Sequence, residues 1–225
     1  MVLQKRIYVC KPKMKTNLKG LQVELLPQKA MLFTAQNVLV IADLHLGKAS
    51  HFRKSGIAVP NQVYDRNIEN LIRLLQWIKP QEVIFLGDLF HSVHNREWDN
   101  FSSVIAQFPS ITFKLIVGNH DILDSRHYQK SGIEIIEDHL DFGEIRLSHE
   151  PIEDCEKYNV FGHLHPGVRM VGKGRQSLRL PCFYFAQDFG VVPAFGTFTG
   201  LALQKPKAGE RVYVVANNKV LCVSQ

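Results

Sequence analysis

Five short apolar runs, each closed by a polar motif, limit what this chain can fold into. The runs cover 38–42, 83–86, 113–117, 145–147 and 159–161. The closing motifs are Asp43-Leu44-His45, Gly87-Asp88, Gly118-Asn119-His120-Asp121, Ser148-His149-Glu150 and Gly162-His163-Leu164-His165. Short runs of β-branched and apolar residues, alternating with helical patterns, read as buried strands. Polar residues at the carboxyl ends of neighbouring strands in an α/β sheet converge on one crevice. Residues far apart in sequence are therefore expected to meet. They offer carboxylate oxygens, one amide oxygen and imidazole nitrogens, with no thiolate. That mixture suits a pair of Mn, Fe or Zn ions better than a sulfur-rich structural zinc.

Two helices are expected between the first three motifs. Over 61–79, Ile68, Leu71, Ile72 and Leu75 share a face, and Pro60 and Pro80 bracket the segment. Over 96–108, Trp98, Phe101, Ile105 and Phe108 form a stripe that reads as core. A loop or short helix falls near 125–130. Residues 21–42 supply two or three strands. From Ile133 onward the pattern is strand at 133–137, 144–148, 158–161, 182–186, 191–195 and 211–223, with Asn217-Asn218 as a hairpin turn. The expected fold is α/β of the α+β type, a two-layer β-sandwich flanked by helices. A length of 225 residues fits one domain over 21–225, with 1–20 as a loose N-terminal extension.

Composition narrows the partners. No stretch approaches the roughly 18 apolar residues of a membrane span. The N-terminus is basic without an apolar h-region, so no signal peptide and no membrane are expected. Cys10, Cys155, Cys182 and Cys222 are scattered with no C-x-x-C, as in a reduced, cytoplasmic protein. The formal charge of +6 favours an anionic partner. Basic residues cluster at Lys11, Lys13, Lys15 and Lys19, at Lys48, Arg53 and Lys54, and at Arg169, Lys173, Arg175 and Arg179. The second and third clusters adjoin metal-type motifs, where a basic rim would hold a phosphate backbone. A solvated surface is the alternative for all three and the favoured reading of the first.

The series D-x-H, G-D, G-N-H-D, a lone His and G-H-x-H, in that order over 38–166, resembles the calcineurin-like metallophosphoesterase superfamily. Asp43-Leu44-His45-Leu46-Gly47-Lys48, His51-Phe52-Arg53, Gly56-Ile57, Gly87-Asp88-Leu89-Phe90-His91-Ser92, His149-Glu150-Pro151 and Leu180-Pro181-Cys182-Phe183 are similar to a narrower group. That group is the bacterial ligase-associated DNA damage response endonucleases. The resemblance implies the sandwich fold and two divalent metals, Mn2+ first, with Fe or Zn as alternatives. It assigns Asp43, His45, Asp88 and His165 to one metal. It assigns Asp88, Asn119, His149 and His163 to the other. Asp88 has lone pairs enough to bridge both. Nucleic acid is the implied partner, and a DNA ligase or helicase follows from the narrower resemblance alone.

Two metals about 3.5–4 Å apart hold the oxygens of a phosphodiester and lower the pKa of a shared water. The resulting hydroxide is expected to attack phosphorus directly. His120 is expected near the scissile phosphate, donating a proton to the leaving oxygen. His91 stands where many members of the superfamily carry an Asp paired to that histidine. This weakens an Asp–His dyad and tilts the substrate towards a diester. Lys48 and Arg53 are candidate grips on a flanking phosphate. Asp121 reads as a turn former or a support behind the ligands. Glu150 is expected to point away or orient a neighbour, and His51, His94, His127 and His139 have no motif support. Two other readings stay open: a hydrolase of small nucleotide or cyclic diesters, and a non-catalytic metal-binding scaffold. Apolar residues in the C-terminal strands leave a homodimer as one option.

Overall fold

A computed structural model describes residues 13–47, 62–172, 176–197 and 199–223. β1 (Met14–Leu18), β2 (Leu21–Leu26), β3 (Ala30–Phe33) and β4 (Val38–Ala42) form an antiparallel meander. β5 (Glu82–Leu86), β6 (Thr112–Ile116) and β7 (Ile133–Ile136) extend it in parallel, giving seven strands in sequence order. Parallel neighbours need crossovers. Here these contain α1 (Gln62–Ile78), α2 (Arg96–Ile105) and α3 (Ser125–Lys130). β4 is buried along its whole length, so it reads as a continuous apolar run and not as an alternation. Asn95 starts α2 sharply, its Oδ1 accepting from the Glu97 and Trp98 N–H groups.

The second sheet has nine strands. They are β8 (His139–Phe142), β9 (Ile145–Ser148), β10 (Tyr158–Phe161), β11 (Pro166–Val171), β12 (Ser177–Phe185), β13 (Phe189–Val191), β14 (Ala202–Leu203), β15 (Arg211–Ala216) and β16 (Lys219–Cys222). β9, β10 and β13 are parallel, and β12 runs antiparallel to β13, β11 and β15. Asn217 and Asn218 turn β15 into β16 with positive φ, as expected for a two-residue hairpin loop.

The sheets pack face to face. Val40, Ala42, Ile84 and Leu86 of the first meet Leu147, Val160, Phe183 and Phe185 of the second. On the outer face of the first sheet, Leu71, Leu75, Trp98, Phe101 and Tyr128 of the helices cover Leu39, Ile41, Phe85 and Phe113. The expected sandwich flanked by helices is present. Among the described residues the helices flank the first sheet alone, because the strands of the second are joined by loops. Its outer face carries a smaller cluster that includes Phe161, Val168, Cys182 and Tyr184.

The helix expected over 96–108 ends at Ile105, and three strand boundaries also differ from the expectation. Residues 14–18 are not part of a loose extension ending at 20. They pair with β2 in register, Met14 opposite Leu25. Lys19 and Gly20 make the left-handed turn (φ +47° and +86°), and Lys-Gly lacks the Asn-Gly signature of such turns. The strand expected at 182–186 starts at Ser177, within a hairpin with β11 that the sequence reading omitted. The strand expected at 191–195 stops at Val191. The chain then crosses to the first sheet, where Phe195 and Gly196 donate to the carbonyls of Ala42 and Asp43.

Candidate metal centre

The five motifs follow β4, β5, β6, β9 and β10, all at carboxyl ends that open on the cleft between the sheets. The loops after β4 and β5 stay bonded to each other. His45 N–H donates to Asp88 O at 2.8 Å, Leu46 N–H to Leu89 O at 3.0 Å, and His91 N–H to Leu46 O at 2.7 Å. Asp43, His45, Asp88, His163 and His165 all have φ between +47° and +60°. That conformation costs a non-glycine residue roughly 1–2 kcal/mol. It persists where surrounding contacts over-determine it, which is common at functional sites. Two glycines are needed for close approach. A Cβ at Gly118 would strike the backbone and carboxylate of Asp88, and one at Gly87 would enter the His149 ring.

All seven ligand-type residues singled out in the sequence come together. Asp43, His45 and His165 form one group and Asp88, His149 and His163 another, each with its ligand-type atoms within 4.8 Å of one another. His45 Nε2 lies 3.2 Å from His165 Nε2, which lies 3.5 Å from Asp43 Oδ1. His149 Nε2 lies 3.1 Å from both His163 Nδ1 and Asn119 Oδ1. Asp88 stands between the groups, with Oδ2 3.7 Å from His45 Nε2 and Oδ1 3.4 Å from His149 Nε2.

The donor set fits a divalent cation. His149 Nδ1 lies 2.9 Å from the Leu86 carbonyl, which only accepts, so Nδ1 carries a proton, and in the neutral ring Nε2 presents a lone pair. That lone pair faces Asn119 Oδ1 and Asp88 Oδ1, which are acceptors too. Acceptors converge in this way on a cation, and a metal-ligating histidine commonly donates its other N–H to a backbone carbonyl. The fully buried Asp43 carboxylate is held by the His163 N–H at 2.9 and 3.2 Å. His45, Asp88 and His149 are also buried, while Asn119 is exposed, so the centre opens on the Asn119 side.

His120 lies on that side. Its backbone N–H donates to Asp88 Oδ1 at 3.0 Å. Its ring stacks on His91, with centroids 3.9 Å apart and planes 20° from parallel. Both rings lie within 6.0 Å of the His45 ring. Glu150 is exposed, with Oε1 4.0 Å from His163 Nδ1. His94 and His127 stack on each other away from both groups, and His139 is exposed. Lys48, Arg53 and His51 lie outside the described residues.

Supporting residues complete the site. Asp121 accepts from the Leu89, Phe90 and Gly118 N–H groups, each at 2.9 Å, and from Tyr128 OH at 3.3 Å. It ties the Gly-Asp loop to the Gly-Asn-His-Asp loop. Burial pushes its carboxyl up to about 6 against the pull of those N–H groups. Three more supports went unread in the sequence. Asn67 of α1 accepts from Thr197 N–H and donates to Leu44 O. Asn159 of β10 braces the loop after β9 through Ser148 Oγ and Ile152 N–H. Lys29 donates to Gly196 O at 2.9 Å, and burial lowers its ammonium to about 8 although Asp43 pulls the other way. The asparagines left a trace, as polar residues within apolar patterns, whereas Lys29 left none.

Two facing sheets with paired carboxylate–histidine groups at their carboxyl ends are the architecture of a metallophosphoesterase. The chain belongs to the calcineurin-like phosphoesterase family, whose pattern matches residues 36–184. Among solved structures it is similar to the Pseudomonas putida nuclease MPE, at 27% identity over 94% of this chain and 100% of that one, with a TM-score of 0.79. It also matches the protein of unknown function AQ665 from Aquifex aeolicus, at 19% identity over 57% of this chain and 78% of that one, with a TM-score of 0.42. A comparison with curated protein sequences gave no match. Among the described residues no helix is long and apolar enough to cross a membrane.

Proposed function

We propose that this phosphoesterase is a dinuclear metal-dependent phosphodiesterase acting on nucleic acid. The observation that carries this reading is the position of Asp88, one oxygen towards each ligand group and the His120 N–H on the same carboxylate. Asp43, His45, Asp88 and His165 would hold one cation, and Asp88, Asn119, His149 and His163 the other. Two divalent ions, Mn2+ first among the candidates, supply Lewis acidity to the phosphate and a water of lowered pKa. Asn119 contributes oxygen without charge, which keeps the pocket receptive to an anionic diester. His120 faces the open side, where its ring donates the proton that an alkoxide leaving group needs. His91 holds that ring by stacking on it. The end-to-end likeness to a nuclease favours nucleic acid over a small cyclic diester. The narrower resemblance to the ligase-associated endonucleases supports a repair role beside a ligase or helicase and a cytoplasmic location.

The test is hydrolysis of single-stranded and duplex DNA, after exhaustive chelation and again after adding Mn2+. Cleavage should vanish and return. Undiminished cleavage after chelation overturns the metal-dependent reading.

The proton role of His120 makes a separate prediction. His120→Ala should lower kcat on DNA by roughly 10²–10⁴-fold. It should cost far less on a nitrophenyl diester, whose leaving group departs without a proton. His91→Ala should lower kcat on DNA by roughly tenfold through the loosened His120 ring. Equal losses of His120→Ala on both substrates would remove the general-acid role. Unchanged turnover of His91→Ala would return His91 to packing.

A further inference from the structure

β11 and β12 form an arm beside the metal centre. β10 ends at the Gly162-His163-Leu164-His165 loop, and β11 leaves that loop in the same direction as β10. It therefore runs on past the carboxyl ends where the ligand groups lie. In β12, residues 182–185 pair with β15, whereas among the described residues 177–181 pair with β11 alone. The outer part of the hairpin thus stands clear of the sheet as a two-stranded ribbon.

On this ribbon Arg169 sits directly opposite Arg179. Directly opposed residues in an antiparallel pair have Cα atoms about 4.5–5.5 Å apart, and like charges there are unfavourable. Both side chains are exposed, and neither has an ion pair or side-chain hydrogen bond among the described residues. Alternation puts Arg179 on the face of β12 that carries Phe183 and Phe185 into the core between the sheets. Both arginines consequently leave the ribbon on the face that, further along β12, packs against the first sheet. Arg169 lies about 13 Å of strand beyond His165.

We propose that Arg169 and Arg179 form a shared clamp for one backbone phosphate of the nucleic-acid strand, outside the linkage that is cleaved. An anion between two opposed guanidiniums turns their repulsion into paired charge-assisted hydrogen bonds. The clamp rests on the nucleic-acid reading above and gives it a binding arm on the rim.

The experiment compares wild type, the Arg169→Gln/Arg179→Gln double variant and the Arg169→Lys/Arg179→Lys double variant, all loaded with Mn2+. Substrates are single-stranded DNA over a range of salt and a nitrophenyl diester too short to reach the arm. The glutamine variant should raise KM for DNA roughly ten- to a hundredfold with kcat little changed. Its slope of log KM against log salt should fall by roughly 1. Turnover of the small diester and the melting temperature should hold, and the lysine variant should retain the salt slope. An unchanged KM and slope in the glutamine variant overturns the clamp and leaves the nuclease reading intact. If wild type hydrolyses the small diester but no nucleic acid, the substrate reading fails first and takes the clamp with it.

Discussion

Asp88→Asn should abolish hydrolysis of both DNA and small diesters, lowering kcat/KM at least about 10³-fold. Among the described residues Asp88 lies between the two ligand groups, so its loss should weaken both. The substitution keeps size and shape but removes a charge and one acceptor oxygen. On the two-metal reading one cation site then loses its Asp88 oxygen and the other keeps only a neutral amide oxygen, and several kcal/mol of charge stabilisation at phosphorus go with them. About 4 kcal/mol corresponds to 10³ in rate. Steady-state kinetics beside a metal analysis checks this. Activity within tenfold of wild type would show that Asp88 does not bridge.

The second large effect is on stability. Asp121→Ala should lower stability by about 3 kcal/mol or more, because three backbone N–H groups lose their acceptor at a cost of about 1–3 kcal/mol each. For a chain of this size that is a fall of roughly 10 °C in melting temperature. Calorimetry of the chelated protein measures it. Asp121→Asn keeps an acceptor and should lose less. The pH dependence supplies a second readout. The folded carboxyl sits at about 6, above its ordinary 3.8, so between those values the folded state binds more protons than the unfolded. Wild-type stability relative to Asp121→Asn should therefore fall as pH rises from 4 to 6 and level off above. A flat difference over that window would contradict the burial of this group.

How much was legible follows from where the information lies. The ligand-type residues stand at the ends of apolar strands, so their types and order showed in the sequence, and the structure gathers all seven. The helices were legible because Leu71, Leu75, Trp98 and Phe101 repeat at helical spacing. β1 was not, because its hairpin turns on Lys19-Gly20 and its exposed positions are polar. The outer half of the β11–β12 hairpin was missed for a related reason. Among the described residues no core lies beneath it, so exposed Met170, Val171, Leu178 and two arginines carry no inside–outside alternation. Lys29, Asn67 and Asn159 act through contacts made only when the sheets and loops are assembled. Asp121 showed as the end of a motif, but its three N–H partners come from two separate loops.

Paramagnetic resonance of the chelated protein titrated with Mn2+ tests the central claim most directly, since it counts the cations and reports whether they share a ligand. Two Mn2+ per chain are expected, with an exchange-coupled spectrum that Asp88→Asn reduces to uncoupled ions or a single site. One Mn2+ per chain, or two that give independent six-line spectra in the wild type, would contradict a dinuclear centre bridged by Asp88.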